Sequence, residues 1–249
     1  MSGAHIERAI NSTWRDKYAY DKPVADTGES DEQRFQRALE IWRERKPLKG
    51  SPAEYYLRRR YIRPDIRLWP PEGWPELVAW SEDAVRTPKQ AKPAMICAVN
   101  DASTGLVVGL QRLYFGRDGN PVIRPDGKKD RKSLGRIWGN AAMLSPWPDP
   151  EGRWGCAEGL ESALAATLLT RIPTWSAVNA GNMAQLRPPI WARHVTIFAD
   201  HDEEATGMKR AVEALDAWRG RPGIESVRIL THKRVGGDVA DALMEAPYA

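Results

Sequence analysis

The chain has few cysteines and no long apolar run. Its two cysteines, Cys97 and Cys156, each lie in an apolar stretch, and no Cys-x-x-Cys pair occurs. A zinc ribbon is therefore excluded, and two buried, reduced thiols are expected. No apolar run approaches the roughly 20 residues that span a bilayer, and the N-terminus has no apolar signal-peptide region. We expect a cytoplasmic protein without membrane segments.

Charge is small in total but unevenly distributed. The net charge is +4, with +6 on residues 1–150 and −2 on residues 151–249. A basic half beside an acidic half favours a nucleic-acid-binding surface next to a cation site, although many ordinary protein surfaces are mildly basic. We divide the chain into a flexible segment (1–30), a basic α+β domain (31–150) and a domain with an excess of acids (151–249).

Two helices are predicted in the first half. The first begins with Asp31 as its N-cap and carries Phe35, Leu39 and Trp42 on its apolar face. The second opens at a capping box in 51–54, with proline at its first position. Its last turn combines arginines with a tyrosine in 58–61, a pattern suited either to nucleic acid or to the negative end of the helix dipole.

An antiparallel meander follows a stretch that is rich in proline and tryptophan. Residues 64–93 are interpreted as loop. Ala94–Val99 and Leu106–Phe115 are predicted strands, and Asp118-Gly119 is a strong hairpin signal. Residues 128–136 form a basic segment, interpreted as a loop that could bring cations and backbone N–H groups to a phosphate.

The second half alternates strands with helices, which is typical of a parallel sheet. Acids follow successive predicted strands: Glu158, then Asp200 and Asp202, then Asp238. Ligands of such sheets bind beyond the carboxyl ends of the strands. Converging carboxylates repel one another unless a cation neutralises them, and hard oxygen ligands suit Mg²⁺. Together these acids predict a metal site, whereas His201 should point away from it.

Four short motifs carry a resemblance to a known family. They are Cys156-Ala157-Glu158-Gly159-Leu160-Glu161-Ser162-Ala163, Asn179-Ala180-Gly181-Asn182, Phe198-Ala199-Asp200-His201-Asp202 and Gly237-Asp238-Val239-Ala240-Asp241. This order resembles a Toprim domain, in particular that of phage- and plasmid-type primases. In those proteins a smaller domain precedes it, with a pattern that Pro93-Ala94, Gln111-Arg112 and Lys132–Gly135 match. The resemblance implies an α/β fold: a Rossmann-like, mainly parallel sheet flanked by helices, preceded by a mixed α+β domain with an antiparallel meander.

The resemblance also implies a set of roles. Asp200 and Asp202, helped by Asp238, would hold Mg²⁺ or Mn²⁺, and no zinc is expected. Glu158 would be an acid/base residue or a further ligand. Cations of the basic domain would bind triphosphate or template, and further residues would support the site; these are Arg112, Lys132 and Arg136 for binding, and Glu161, Gly181 and Asp241 for support.

The implied activity is that of a DNA primase, which makes short RNA primers on single-stranded DNA from NTPs during replication of a phage, plasmid or integrated mobile element. Primases of this kind usually carry a zinc-binding domain and often a helicase, and neither occurs in this sequence. A separate helicase or zinc-binding protein is therefore expected as a partner. Two alternatives are a metal-dependent Toprim nuclease and a non-catalytic DNA-binding or replication-interference module.

Overall fold

A computed structural model describes residues 29–87, 90–201 and 206–245. Asp202 and nearly all of the predicted flexible segment lie outside these ranges. No helix in the described ranges is long and apolar enough to cross a membrane. The helices are α1 (Asp31–Arg43), α2 (Pro52–Arg59), α3 (Leu160–Thr170), α4 (Ala180–Met183), α5 (Thr206–Trp218) and α6 (Val239–Glu245). The strands are β1 (Lys46–Pro47), β2 (Val78–Thr87), β3 (Gln90–Asn100), β4 (Val107–Tyr114), β5 (Arg131–Gly135), β6 (Arg153–Ala157), β7 (Thr174–Ser176), β8 (His194–Ala199) and β9 (Ser226–Thr231).

The first sheet is the predicted antiparallel meander, and its strand order is β1-β2-β3-β4-β5. Three of its strands, the two-residue β1 and the longer β2 and β5, were missed in the sequence. Strand β2 lies in the stretch interpreted as loop, because polar residues and a register shift between Ser81 and Ala84 hide its alternation. Strand β5 lies in the predicted basic loop, where cations at alternate positions give no apolar pattern.

Helix α1 begins one residue earlier than predicted. Its N-cap is Ser30, whose hydroxyl accepts a hydrogen bond from the Gln33 N–H while the Gln33 side chain accepts one from the Ser30 N–H. The buried face is centred on Ala38 and Ile41, and the three larger apolar residues that we assigned to it are only half-buried. The small alanine lets the helix lie close to the outer face of the first sheet. Helix α2 begins after Ser51, as predicted.

The second sheet is parallel, in the order β7-β6-β8-β9, as the alternation of strands and helices predicted. All three strand pairs run parallel. The order places β6, β8 and β9 side by side, so the residues that follow these three strands meet at one edge. That edge carries Glu158, Asp200 and Asp238.

Helix α3 lies between the two sheets and is buried on every side over residues 160–167. One apolar cluster contains Met95 and Leu113 of the first sheet, Leu164 of α3 and Phe198 of the second sheet. Because residues 160–167 have no solvent face, this part of α3 is apolar or small apart from Glu161, as is typical of buried helices. Two further clusters pack α1 against the outer face of the first sheet and α5 against the outer face of the second.

A short extended segment also joins the sheets through backbone hydrogen bonds. Ala141 exchanges two bonds with Asn100 at the end of β3, at N···O distances of 2.8 and 3.3 Å. Ala142 exchanges two with Ser176 of β7, at 2.9 and 3.0 Å. The relative position of the sheets is therefore fixed by backbone pairing as well as by the shared core.

Replacing Leu164 by alanine should lower the free energy of unfolding by about 2–5 kcal/mol, because this fully buried side chain leaves a cavity between the sheets. Leu169→Ala on the same helix, where the side chain is 36% exposed, is the matched control and should cost at most about 1 kcal/mol. Urea unfolding followed by circular dichroism and by tryptophan fluorescence measures both. Separate transitions in the two signals would contradict a core shared by the sheets.

Candidate active site

An acidic cluster occupies the carboxyl edge of the parallel sheet. Asp200 is held by the Ser162 hydroxyl, which donates a hydrogen bond of 3.2 Å to Oδ1 from the first turn of α3. Burial, and then the neighbouring carboxylates of Glu158 and Asp238, raise the pKa of Asp200 to about 7. The three acids therefore lie close enough to interact, and at Asp200 burial and like charge favour the protonated form.

Close packing fixes the backbone at Asp200. A Cβ atom on Gly207, in the first turn of α5, would lie 2.6 Å from the Asp200 carbonyl oxygen, so only glycine fits there. The ring of His201 turns to the loop after β9, with Nδ1 2.9 Å from the His232 carbonyl oxygen. This position agrees with leaving His201 out of the proposed ligands.

Arg60, at the C-terminal end of α2, reaches the acidic cluster from the other half of the chain. Its Nη2 lies 2.8 Å from both carboxylate oxygens of Asp238 and 3.3 Å from Asp241. Asp238 and Asp241 also accept hydrogen bonds from each other's backbone N–H, at 2.9 and 3.0 Å. Although burial opposes its charge, the contact with Asp238 raises the pKa of Arg60. Arg60 thus partly neutralises the β9 side of the cluster.

Glu161 is a buried anion that joins the two halves of the molecule. It is 3% exposed, and its Oε1 accepts hydrogen bonds from the Tyr56 hydroxyl at 2.9 Å, from Lys129 Nζ at 3.2 Å and from Arg131. Burial alone would raise its pKa, but Arg131 and Lys129 hold the pKa of Glu161 below its usual range. Arg131 begins β5 of the first sheet, and Lys129 lies just before that strand. The first half of the molecule therefore contacts α3 through ion pairs as well as through apolar packing.

Strand alternation decides which cations of the first sheet face the acids. Arg112 and Lys132 pair across β4 and β5 and share the outer face with Leu134, which packs against α1. Arg112 is 4% exposed, and its guanidinium donates to the backbone carbonyls of Val85 and Ser133. The structure therefore places both predicted binding residues on the side of the sheet away from Glu161.

The inner face of the same strands carries two residues to which the sequence analysis gave no role in the site, Gln111 and Arg131. Gln111 donates a hydrogen bond of 2.7 Å from Nε2 to the Val178 carbonyl, next to the Asn179 motif. Val178 has φ of 73°, a left-handed conformation that is strained for a β-branched residue. Arg131, at the start of β5, reaches Glu161 from this face as well. If β5 had been recognised as a strand, its alternation would have placed Arg131 and Lys132 on opposite faces of the sheet, because neighbouring residues of a strand point to opposite faces.

The remaining predicted residues lie at the rim. Arg136 pairs with Glu32 of α1 at 3.0 Å and stacks on Phe35, with its guanidinium carbon 4.4 Å from the ring centroid. Gly181 lies in α4, whose N-cap Asn179 accepts a hydrogen bond from the Asn182 N–H. Neither residue is brought into contact with the acidic cluster by the hydrogen bonds and ion pairs described.

Glu158 and Asp200 fit a divalent cation by chemistry, because they supply hard oxygen ligands where negative charge is in excess. Asp238 fits less well, since Arg60 occupies both of its oxygens. Across 29–87, 90–201 and 206–245, no three His, Cys, Asp or Glu side chains are grouped so that they could hold a metal ion. Asp202, the fourth predicted ligand, lies outside those ranges. Both cysteines are buried, one in each sheet.

Comparison with known proteins agrees with this architecture. Residues 153–247 match a family described as the Toprim domain, and residues 32–144 match a domain of unknown function, DUF7146. No curated protein sequence matches the chain.

Three solved structures resemble it at low identity. The zinc-binding and RNA polymerase domains of Aquifex aeolicus primase share 14% identity at a TM-score of 0.53, over 96% of this chain and 64% of that one. A DnaG primase catalytic domain bound to single-stranded DNA shares 13% at 0.52, over 86% and 78%. The primase fragment of the bacteriophage T7 primase-helicase shares 15% at 0.46, over 68% and 62%. The chain thus spans less than two thirds of the Aquifex and T7 fragments.

Residues 153–247 thus match the Toprim domain, and the fold of the chain resembles that of the Aquifex and DnaG primase domains. An antiparallel five-stranded sheet precedes the parallel sheet of the Toprim region.

Asp200→Asn should stabilise the metal-free protein more at pH 8 than at pH 4. An acid whose pKa rises from 3.8 to about 7 on folding costs stability as pH rises between these values, because the folded form must give up a proton that it holds more tightly. At pH 4 the side chain is protonated in the folded protein and resembles asparagine, so the variant should gain little. Thermal unfolding in EDTA measures the difference.

Asp216→Asn, on the exposed face of α5, is the matched control. It should show no such dependence on pH. An equal gain for Asp200→Asn at both pH values would contradict the raised pKa of Asp200.

Proposed function

We propose that this chain is the catalytic core of a DNA primase, a nucleotidyltransferase that joins NTPs into short RNA primers on single-stranded DNA. The observation that carries this proposal is the arrangement of charge at the carboxyl edge of the Toprim sheet. Acids of one half of the molecule face Arg60, Lys129 and Arg131 of the other half. A reaction that transfers a nucleotidyl group needs acids and cations at one site, because the acids bind the metal and the cations bind the phosphates.

In this proposal Glu158, Asp200 and Asp202 hold Mg²⁺ or Mn²⁺, and Asp238 contributes once Arg60 gives way. The divalent ion supplies Lewis acidity and charge neutralisation for the departing pyrophosphate. In place of a ligand role, Glu158 would act as the acid/base residue that accepts the proton of a primer 3′-hydroxyl. The remaining acids position rather than react: Glu161 orients Arg131 and Lys129, and Asp241 fixes Asp238 through reciprocal backbone bonds.

The triphosphate is proposed to bind at Arg131, Lys129 and Arg60, instead of at the three cations chosen from the sequence. Burial lowers the pKa of Lys129 despite the neighbouring Glu161, whereas Glu161 raises that of Arg131. An anion arriving here would meet charge that is already oriented by hydrogen bonds and partly removed from water, so each contact would be stronger than at an exposed side chain.

The likeness to a DnaG catalytic domain bound to single-stranded DNA supports a nucleic-acid template for this chain as well. The zinc-binding region of the Aquifex primase fragment supports our proposal that a template-selecting module or a helicase acts with it as a separate partner. Replication of a phage, plasmid or integrated mobile element is the proposed setting.

Primer synthesis tests the proposal directly. With single-stranded DNA, labelled NTPs and Mn²⁺, the wild-type protein should produce short oligonucleotides, and Asp200→Ala should reduce the product at least about 100-fold because charge stabilisation is lost. The exposed Asp216→Asn variant should retain full activity. Absence of product from the wild type, or an unchanged yield from Asp200→Ala, would refute the proposal. Shortening of labelled template would identify a nuclease instead.

Neighbouring cations on opposite faces of β5 provide a second test. Arg131→Ala should raise the KM for NTPs about 10-fold or more, because one charge-assisted contact to phosphate is removed. Lys132→Ala, one residue along the strand and on the outer face, should change the KM by less than about two-fold. Arg131→Lys keeps a positive charge beside Glu161 and is the control for the loss of that partner. This variant should recover more of the thermal stability than of the affinity for NTPs. The reverse order of effects, with Lys132 dominant, would overturn this assignment.

A further inference from the structure

Trp138 is exposed in a chain that otherwise buries its tryptophans. In the described residues it is 53% exposed, whereas every other tryptophan is buried or half-buried. The exposed large apolar side chains nearest to it in sequence are Ile123 and Leu169. One exposed indole is smaller than the broad apolar patch that a protein partner covers. Its large flat face suits a single planar ligand.

The loop that carries Trp138 is held rigidly. Gly135 and Gly139 adopt left-handed conformations, with φ of 83° and 74°, and bracket the three residues between them. The fully buried Asn182 binds this loop through both ends of its side-chain amide. Its Oδ1 accepts from the Gly139 N–H at 2.8 Å, and its Nδ2 donates to the Ile137 and Asn140 carbonyls at 3.2 and 2.8 Å. The indole is therefore presented on a preorganised backbone.

Hydrogen bonds connect this loop to the acidic edge. Asn182 also donates to the Ala177 carbonyl at 2.9 Å, and the Ala177 N–H donates to the Ala157 carbonyl at 2.8 Å, directly before Glu158. The Ser176 hydroxyl donates to the Glu158 carbonyl at 3.3 Å. The loop that carries Trp138 is thus linked to the carboxyl end of β7, next to the strand that ends before Glu158, and Arg136 lies two residues away on the same loop.

We propose that Trp138 is a stacking platform for a nucleobase at the β7 end of the active-site edge. The base belongs to the single-stranded template, and in this respect the inference rests on the proposed function. Stacking on an aromatic ring tolerates any base, since all bases have a π-face. A platform next to β6, the β-strand before Glu158, would hold the template DNA in position relative to the acids. It would do so without reading the DNA sequence.

Binding of a fluorescent oligothymidylate of about 12 nucleotides to the full chain, without divalent metal or NTPs, tests the platform. Trp138→Ala should raise the Kd about 10-fold, whereas Trp138→Phe should keep most of the affinity. The slope of log Kd against log salt should stay unchanged, because no charge is removed. Ile190→Ala, another exposed apolar side chain, is the matched control and should bind like the wild type.

Free NTP in place of the oligonucleotide distinguishes the source of the base. Weaker binding of the strand alone supports a template platform; weaker binding of NTP alone overturns the template assignment and moves the base to the nucleotide. A Kd for Trp138→Ala within about two-fold of the wild type for both ligands overturns the proposal. Primer synthesis is a separate measurement: if the wild type binds through Trp138 but makes no primers, the primase function fails and the platform stands.

Discussion

A buried carboxylate ties the active-site edge to the first half of the molecule, in addition to the shared core and the backbone pairing between the sheets. Glu161 lies at the start of the helix between the sheets and binds Tyr56, Lys129 and Arg131 through one oxygen. A charge buried to this extent is tolerated only when it is paired and hydrogen-bonded. Loss of the anion would remove the main counter-charge of two partly buried cations, so the interaction is costly to break even if its net contribution to stability is modest.

The sequence was sufficient to predict the order of the acids and the parallel sheet that gathers them. Strand–helix alternation and acids after successive strands depend on local pattern, and the pattern survives in the fold. The cations were harder to predict because the face of the sheet on which each side chain lies depends on where β4 and β5 begin and how they pair. Interpreting residues 128–136 as a loop removed the alternation that separates Arg131 from Lys132. Arg60 could not be found from spacing, since it meets Asp238 across 178 positions of sequence. Its signal, an arginine at a helix end, is common to many surfaces.

The charge balance of the edge is uneven. On the β9 side, Arg60 binds both oxygens of Asp238, whereas burial, and then the carboxylates of Glu158 and Asp238, raise the pKa of Asp200. A cation would therefore favour the charged form most at Asp200. Strain is stored on the opposite side, where Val178 is kept in a left-handed conformation while its carbonyl accepts the Gln111 amide. Such conformations persist where surrounding contacts impose them, and they often accompany functional sites.

The burial of α3 on all sides has an evolutionary consequence. Helix α3 belongs by sequence to the second half, yet its buried side chains share an apolar cluster with residues of the first half, so exchange of either half alone would disturb that cluster. Recombination that replaced only the acidic half would pair a new helix with an unmatched apolar surface and would separate Glu161 from its cations. The two halves should therefore be inherited together, and substitutions at Tyr56 or Lys129 should be followed across lineages by compensating changes in α3.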